Sequence, residues 1–208
     1  MNGQIKYTNY TNEFGEDLLT EERIDGKIYF MARPADKHID VQYNIANIFN
    51  NYFRLKKKKC MARIDGKIDL DDSDNYVVPD VMVFCHKNSG EIPLIVVEIL
   101  SKSTWKKDLG IKMEKYAKLG IKEYWIVDCN KYVIDIYLLN DNKIYEKYDT
   151  YVYYTDRDFS KSPKLREEEK ARIEIITEFS PASITEMKIL LEDVFYFIDE
   201  LTDEDGEE

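Results

Sequence analysis

The 208-residue sequence is poor in the side chains that build zinc centres and disulfide frameworks, with three cysteines and two histidines. Cys60, Cys85 and Cys129 are odd in number and far apart, and no CxxC occurs. With only His38 and His86 to join them, a zinc site is not expected, and the cysteines read as free structural thiols. No apolar run approaches the roughly 20 residues of a membrane-spanning helix. Residues 1–10 are polar and lack the apolar core of a signal peptide, so the cytoplasm is the expected compartment.

What remains describes a soluble globular chain, 44% hydrophobic and 34% charged, long enough to bury a full core. We expect one domain over residues 1–201 and a disordered acidic tail over 202–208. The net charge of −11 speaks at first against a nucleic-acid partner. Its distribution reverses that: residues 156–208 hold 17 acids and 7 bases, leaving 24 acids and 23 bases for residues 1–155. Local patches decide phosphate contact. One such patch is Lys56, Lys57 and Lys58 with Lys59; another runs over 102–122 and begins with Lys102. The first reads equally as a solvated edge.

Along the chain, the spacing predicts a short helix over 11–19 and then a hairpin turning at Asp25-Gly26, where glycine accepts positive φ. Residues 38–53 carry Val41, Ile45, Ile48, Phe49 and Tyr52 at helical spacing. Residues 56–70 read as a strand pair, and 63–68 repeat the string Arg-Ile-Asp-Gly-Lys-Ile of 23–28, implying a similar turn. An acidic loop over 69–74, strands over 77–84 and 94–100, and a loop over 86–90 follow. A helix over 103–119 should stop at Gly120, a suitable residue beyond a helix end. Strands are expected over 122–128, 132–139 and 143–154, an exposed loop over 157–170, a last strand over 171–179 and a capping helix over 184–201.

Two of these strands each carry one carboxylate in an apolar, β-branched run: Asp80 in Val-Val-Pro-Asp-Val-Met-Val-Phe, and Glu98 in Leu-Ile-Val-Val-Glu-Ile-Leu. Such runs read as strands buried on both faces. An ionised carboxylate there costs several kcal/mol (roughly) unless a cation or hydrogen bonds compensate it. Pro79 places its strand at an edge or bends it by a bulge, a frequent neighbour of active sites. Facing side chains on paired strands lie about 5 Å apart, close enough to share one divalent cation. On the following helix, at 100° per residue, Trp105, Leu109, Lys112, Met113 and Tyr116 fall within an arc of about 100°. Lys112 therefore faces the apolar side with Tyr116 as its neighbour one turn on, and an inward lysine needs a carboxylate or a task. Two acids and a lysine suit phosphodiester hydrolysis: Mg²⁺ held by the acids activates water, and the lysine stabilises developing negative charge.

The segments Val-Pro-Asp80-Val, Ile-Val-Val-Glu98-Ile-Leu-Ser-Lys-Ser-Thr104 and Asp108-Leu-Gly-Ile-Lys112-Met-Glu-Lys-Tyr116 through Asp128 resemble the Uma-type putative restriction endonuclease family. That family belongs to the PD-(D/E)XK nuclease superfamily. The similarity covers residues of about 10–155 and includes the Glu22-Arg-Ile-Asp-Gly hairpin and His38. It implies an α/β fold, a mixed sheet with a restriction-endonuclease-like αβββαβ core flanked by helices. It further implies a Mg²⁺- or Mn²⁺-dependent deoxyribonuclease with Asp80 and Glu98 as metal-binding acids and Glu22 as an upstream metal contact. Lys112 takes the place of the superfamily lysine, since Leu100 stands where that lysine would be. His38 and Tyr116 are expected in support, DNA as the substrate and a homodimer as the assembly. Two other readings stay open: an idle nuclease fold acting as an interaction or DNA-binding module, which the acidic C-terminal region suits, and a metal-dependent hydrolase of another substrate.

Overall fold

The computed structural model describes residues 18–32, 34–71, 73–85, 92–101, 105–154, 176–196 and 198. A first hairpin joins β1 (Leu18–Ile24) to β2 (Lys27–Ala32). Its turn has Asp25 at φ 50° and Gly26 at φ 74°, the two positive values that a type I′ turn demands. Residues 1–17, which include most of the helix expected over 11–19, lie outside the described residues; Leu18 and Leu19 belong to the strand.

The centre of the molecule is a six-stranded mixed sheet. Its strands are β3 (Cys60–Ile64), β6 (Val81–Cys85), β7 (Ile95–Ile99), β8 (Glu123–Asp128), β9 (Val133–Leu139) and β10 (Tyr145–Val152). Their spatial order is β10-β9-β8-β7-β6-β3, with only the β7–β8 pair parallel. That parallel step requires a crossover. It is made by one helical rod: α2 (Trp105–Lys107), a π-helical segment (Asp108–Lys112) and α3 (Met113–Leu119), closing at Gly120. With the 20-residue helix α1 (Asp36–Leu55) ahead of β3, the order along the chain is αβββαβ.

Strand alternation assigns each face of this sheet its cover. Val97 and Ile99 of β7 pack with Val41, Ile45 and Phe49 of α1. Val96 turns the other way, into a second cluster with Tyr116, Tyr124, Ile126 and Ile24. Glu98, two residues after Val96, shares its face and so lies beneath the helical rod.

Several expectations are corrected by long-range pairing. The stretch 77–84 is not one strand: β5 (Tyr76–Val77) joins β1 and β4 (Ile68–Asp69) in a four-stranded sheet, and β6 belongs to the central one. Asp80 lies in the break after Pro79, which has no N–H to continue a ladder. Likewise β3 and β4 do not pair with each other, so 56–70 is no hairpin; β3 pairs β6 and β4 pairs β5. The repeated Arg-Ile-Asp-Gly-Lys-Ile string therefore makes a hairpin once and a passage between sheets the second time. At that passage a Cβ on Gly66 would stand 2.1 Å from Met82 Cε, the end of a flexible side chain that would have to move aside.

The cysteine expectation also fails: Cys60 and Cys85 face each other in the β3–β6 register and form a disulfide, leaving Cys129 free and buried. At the C-terminal side, β11 (Glu178–Phe179) pairs β12 (Ile189–Leu190), followed by the single turn α4 (Leu191–Val194). The capping helix expected from 184 is thus absent over its first half, because pairing with β11 takes Ile189 and Leu190. The loops over 86–90 and 157–170, residues 171–175 and the tail 202–208 lie outside the described residues. Among the described residues no helix is long and apolar enough to cross a membrane.

Candidate active site

Asp80 reaches β7 from the break before β6. Its Oδ2 accepts a hydrogen bond from the Ile99 N–H at 2.6 Å, which fixes the carboxylate beside the main chain of the residue after Glu98. His38, in the first turn of α1, lies 3.3 Å from the same oxygen through Nε2. Gln42, one turn later, donates to the Asp80 carbonyl at 2.9 Å and to Asp65 at 2.7 Å. His38 is buried and its Nδ1 has no hydrogen-bond partner among the described residues. Burial pushes the His38 pKa down, but the hydrogen bond and charge of Asp80 outweigh it and hold the imidazole above its ordinary value.

Glu98 meets the helical rod. Lys112 is 1% exposed, and its Nζ lies 2.6 Å from Glu98 Oε1, 2.9 Å from Glu22 Oε1 and 3.5 Å from Asp108 Oδ1. Tyr116, one turn beyond, donates its hydroxyl to Glu98 Oε1 at 2.5 Å. Glu22, fully buried on β1, also accepts the Val78 N–H at 2.9 Å and pairs with Lys107 through Oε2. The hairpin is thereby clamped to the rod, and Lys115 adds a pair with Asp25 at its turn. Tyr124 holds the π segment from below, donating to the Asp108 carbonyl at 3.0 Å.

The protonation balance shows how crowded with negative charge this space is. Burial lifts the Glu98 pKa well above the carboxylate range; the charges of Asp108, Asp80 and Glu22 add to the lift, and Lys112 only partly opposes it. Burial also disfavours charge on Lys112, but Glu98, Glu22 and Asp108 more than compensate and raise its pKa, so the ammonium persists. For Glu22, burial acts upward, and Lys112 with Lys107 bring the carboxyl below its usual value.

Asp80, Glu98, Lys112, Glu22, His38 and Tyr116 are therefore brought together. The basic run is not. His38 and Lys56 stand 18 residues apart at opposite ends of α1, about 27 Å at a rise of about 1.5 Å per residue. Lys58 is occupied there by Glu186 and by the face of Tyr52, 5.5 Å from its Nζ. Lys102 lies outside the described residues. Sequence reasoning missed Asp108 and Lys107; the signal for Asp108 was its place one turn before an inward lysine.

The carboxylates suit a hard cation. Mg²⁺ takes oxygen ligands, keeps several waters and is commonly held by one or two carboxylates. Among the described residues no group of three or more His, Cys, Asp or Glu side chains forms a ready cage. Glu22 has both oxygens engaged by lysines and the Val78 N–H, which leaves Asp80 and Glu98 as the donor pair.

Comparison with known proteins adds three findings. A family model described as Uma2, putative restriction endonuclease, matches residues 9–170. An uncharacterized protein of Synechocystis sp. is 32% identical over 129 residues, covering 58% of this chain and 67% of its own length. A crystal structure of a putative nuclease belonging to DUF820 from Anabaena variabilis superimposes with a TM-score of 0.60 at 18% identity, over 84% of this chain and 89% of that one. The last likeness establishes the fold.

Proposed function

We propose, from the premise that the chain belongs to the Uma2 family of putative restriction endonucleases, that it is a divalent-metal-dependent nuclease hydrolysing DNA phosphodiester bonds. The observation that carries this reading is the convergence of Lys112 on Glu98, on the strand whose next N–H is held by Asp80. A buried lysine amid carboxylates, next to a second acid aimed from a strand break, is the donor set that phosphoryl chemistry uses.

In this reading Asp80 and Glu98 hold Mg²⁺ or Mn²⁺. A cation held by these two acids would polarise a phosphate oxygen and lower the pKa of water. Burial and three other acids act against the ionisation of Glu98, and a cation held beside it would favour its charged form. Lys112 keeps a fixed positive charge beside the reacting phosphate and stabilises the attacking oxygen or the phosphorane-like transition state. Glu22 and Tyr116 are positioning residues: Glu22 anchors Lys107 and Lys112 to the hairpin, and Tyr116 orients the Glu98 carboxylate. Glu22 approaches the metal only if a lysine releases one of its oxygens. His38 orients Asp80. Two copies would cut two strands, so a homodimer is the assembly this reading favours.

The test is cleavage of supercoiled and linear DNA by the purified chain with Mg²⁺ or Mn²⁺. Nicking or cutting that falls to background in Asp80→Ala and in Glu98→Ala is the expected result; cleavage that survives both substitutions rules the site out. Calorimetry separates the idle-module alternative. Mn²⁺ binding that Asp80→Asn and Glu98→Gln weaken supports the metal site, whereas a parent protein that binds no Mn²⁺ favours the module.

A further inference from the structure

The sequence has two tryptophans, and they are treated in opposite ways. Trp125 is fully buried between Phe49 and Phe179, with ring centroids 5.7 Å and 5.3 Å away. Trp105 is 45% exposed at the start of the helical rod. So large an apolar ring is normally withdrawn from water, so an exposed one calls for an explanation. Leu109, one turn further on, is 41% exposed and extends the apolar strip along the rod. The opposite side of the same two turns carries Asp108 and Lys112 inward. The strip therefore runs along the outer surface of the element that roofs the acid–lysine cluster.

We propose that Trp105 is a nucleobase platform, stacking an unpaired base of single-stranded DNA on the outer surface of the rod. The proposal rests on the nuclease reading and adds its substrate form. Lys106 Nζ lies 5.4 Å from the Trp105 ring centroid and makes no ion pair among the described residues. The ammonium stands over one face of the indole, which leaves the other face for a base, and it offers a counter-charge to the phosphate of the same nucleotide. The strip is one indole and one leucine wide, far below the roughly 1,000 Å² that a specific protein partner would cover. Stacking on a side chain also needs an open base face, which paired and stacked duplex bases do not present. Unpaired DNA is therefore the form the strip selects.

Intrinsic fluorescence tests this directly on the full chain, because Trp125 is shielded and Trp105 is the exposed emitter. Oligo(dT) added in EDTA, where no cleavage occurs, is expected to quench the emission. Trp105→Ala should weaken oligo(dT) binding, read by anisotropy of a labelled strand, by about 5- to 150-fold. Trp105→Phe should retain most of the affinity, and a fully paired duplex closed at both ends by non-nucleotide linkers should leave the emission unchanged. Absence of quenching, equal quenching by the closed duplex, or unaltered binding by Trp105→Ala overturns the proposal. Because these readings are made without metal, cleavage without quenching removes this proposal alone. Quenching without cleavage keeps the platform and removes the catalytic reading.

Discussion

Lys112 faces more carboxylate than one ammonium can neutralise, and the excess falls on Glu98. The Glu98 pKa is raised by burial first and by the neighbouring acids next. A carboxyl with a raised folded pKa holds its proton longer in the folded state than in the unfolded one. Its contribution is complete below the unfolded value of about 4.5 and is lost as pH rises through the folded value. Glu22 has the opposite sign: its depressed pKa contributes above about 4.5 and is lost as pH falls through the folded value. Metal-free Glu98→Gln should therefore lose less stability than the parent between pH 5 and pH 8, read as the urea midpoint at each pH, while losing cleavage. An equal decline in both proteins would contradict this account of Glu98. Lys112→Met should do the reverse and destabilise by about 3–5 kcal/mol at neutral pH, because it leaves buried carboxylates without their cation. The burial of Glu98 was legible from sequence because a carboxylate in a β-branched run has so few inexpensive explanations; Asp80 was singled out on the same ground, yet it lies half-buried in the break before β6. The Cys60–Cys85 bond was not legible, since only the β3–β6 register brings two distant cysteines opposite each other.

The helical rod shows how an element can be foreseen while its faces are only half foreseen. A wheel of regular α-helix puts Trp105, Leu109, Lys112 and Tyr116 on one side. Lys112 and Tyr116 are buried, but Trp105 and Leu109 are exposed. The π segment at 108–112 accounts for the split, because a wide turn shifts the face before it relative to the face after it. With α3 held by Tyr116 on Glu98, deleting Gly110 should close that turn and rotate the preceding residues by about 100°. Asp108 would leave Lys112, and Lys107 would turn toward it. The expected result is a retained far-UV helical signal with a lower denaturation midpoint and lost cleavage. If midpoint and cleavage both stay unchanged, the wide turn has no part in the site. The string Arg-Ile-Asp-Gly-Lys-Ile gives the same lesson for strands. At 23–28 its two ends pair with each other, whereas at 63–68 Ile64 pairs with Val81 and Ile68 with Val77. Local turn chemistry permits both outcomes, and the partner strands choose.

At the scale of the whole molecule, charge must be located before it can be interpreted. The chain carries a net −11, yet a small group of acids and lysines, tied to the first turn of α1 through His38 and Asp80, carries its proposed chemistry, and four lysines cluster at the other end of that helix. Those ends are about 27 Å apart along the helix. A duplex rising about 3.4 Å per base pair needs about eight pairs to touch both. The basic run can therefore contribute to binding only when the substrate is long enough. Replacing Lys56, Lys57 and Lys59 by alanine should leave the affinity for a six-nucleotide strand unchanged. For a 20-base-pair duplex, the same change should flatten the plot of log affinity against log salt by up to about 3, one for each lost phosphate contact. Equal effects on both lengths would place the run at the site itself, against the geometry of α1. No effect on either would leave Lys56, Lys57 and Lys59 as a solvated helix end, with the substrate's phosphates met by the cations of the rod.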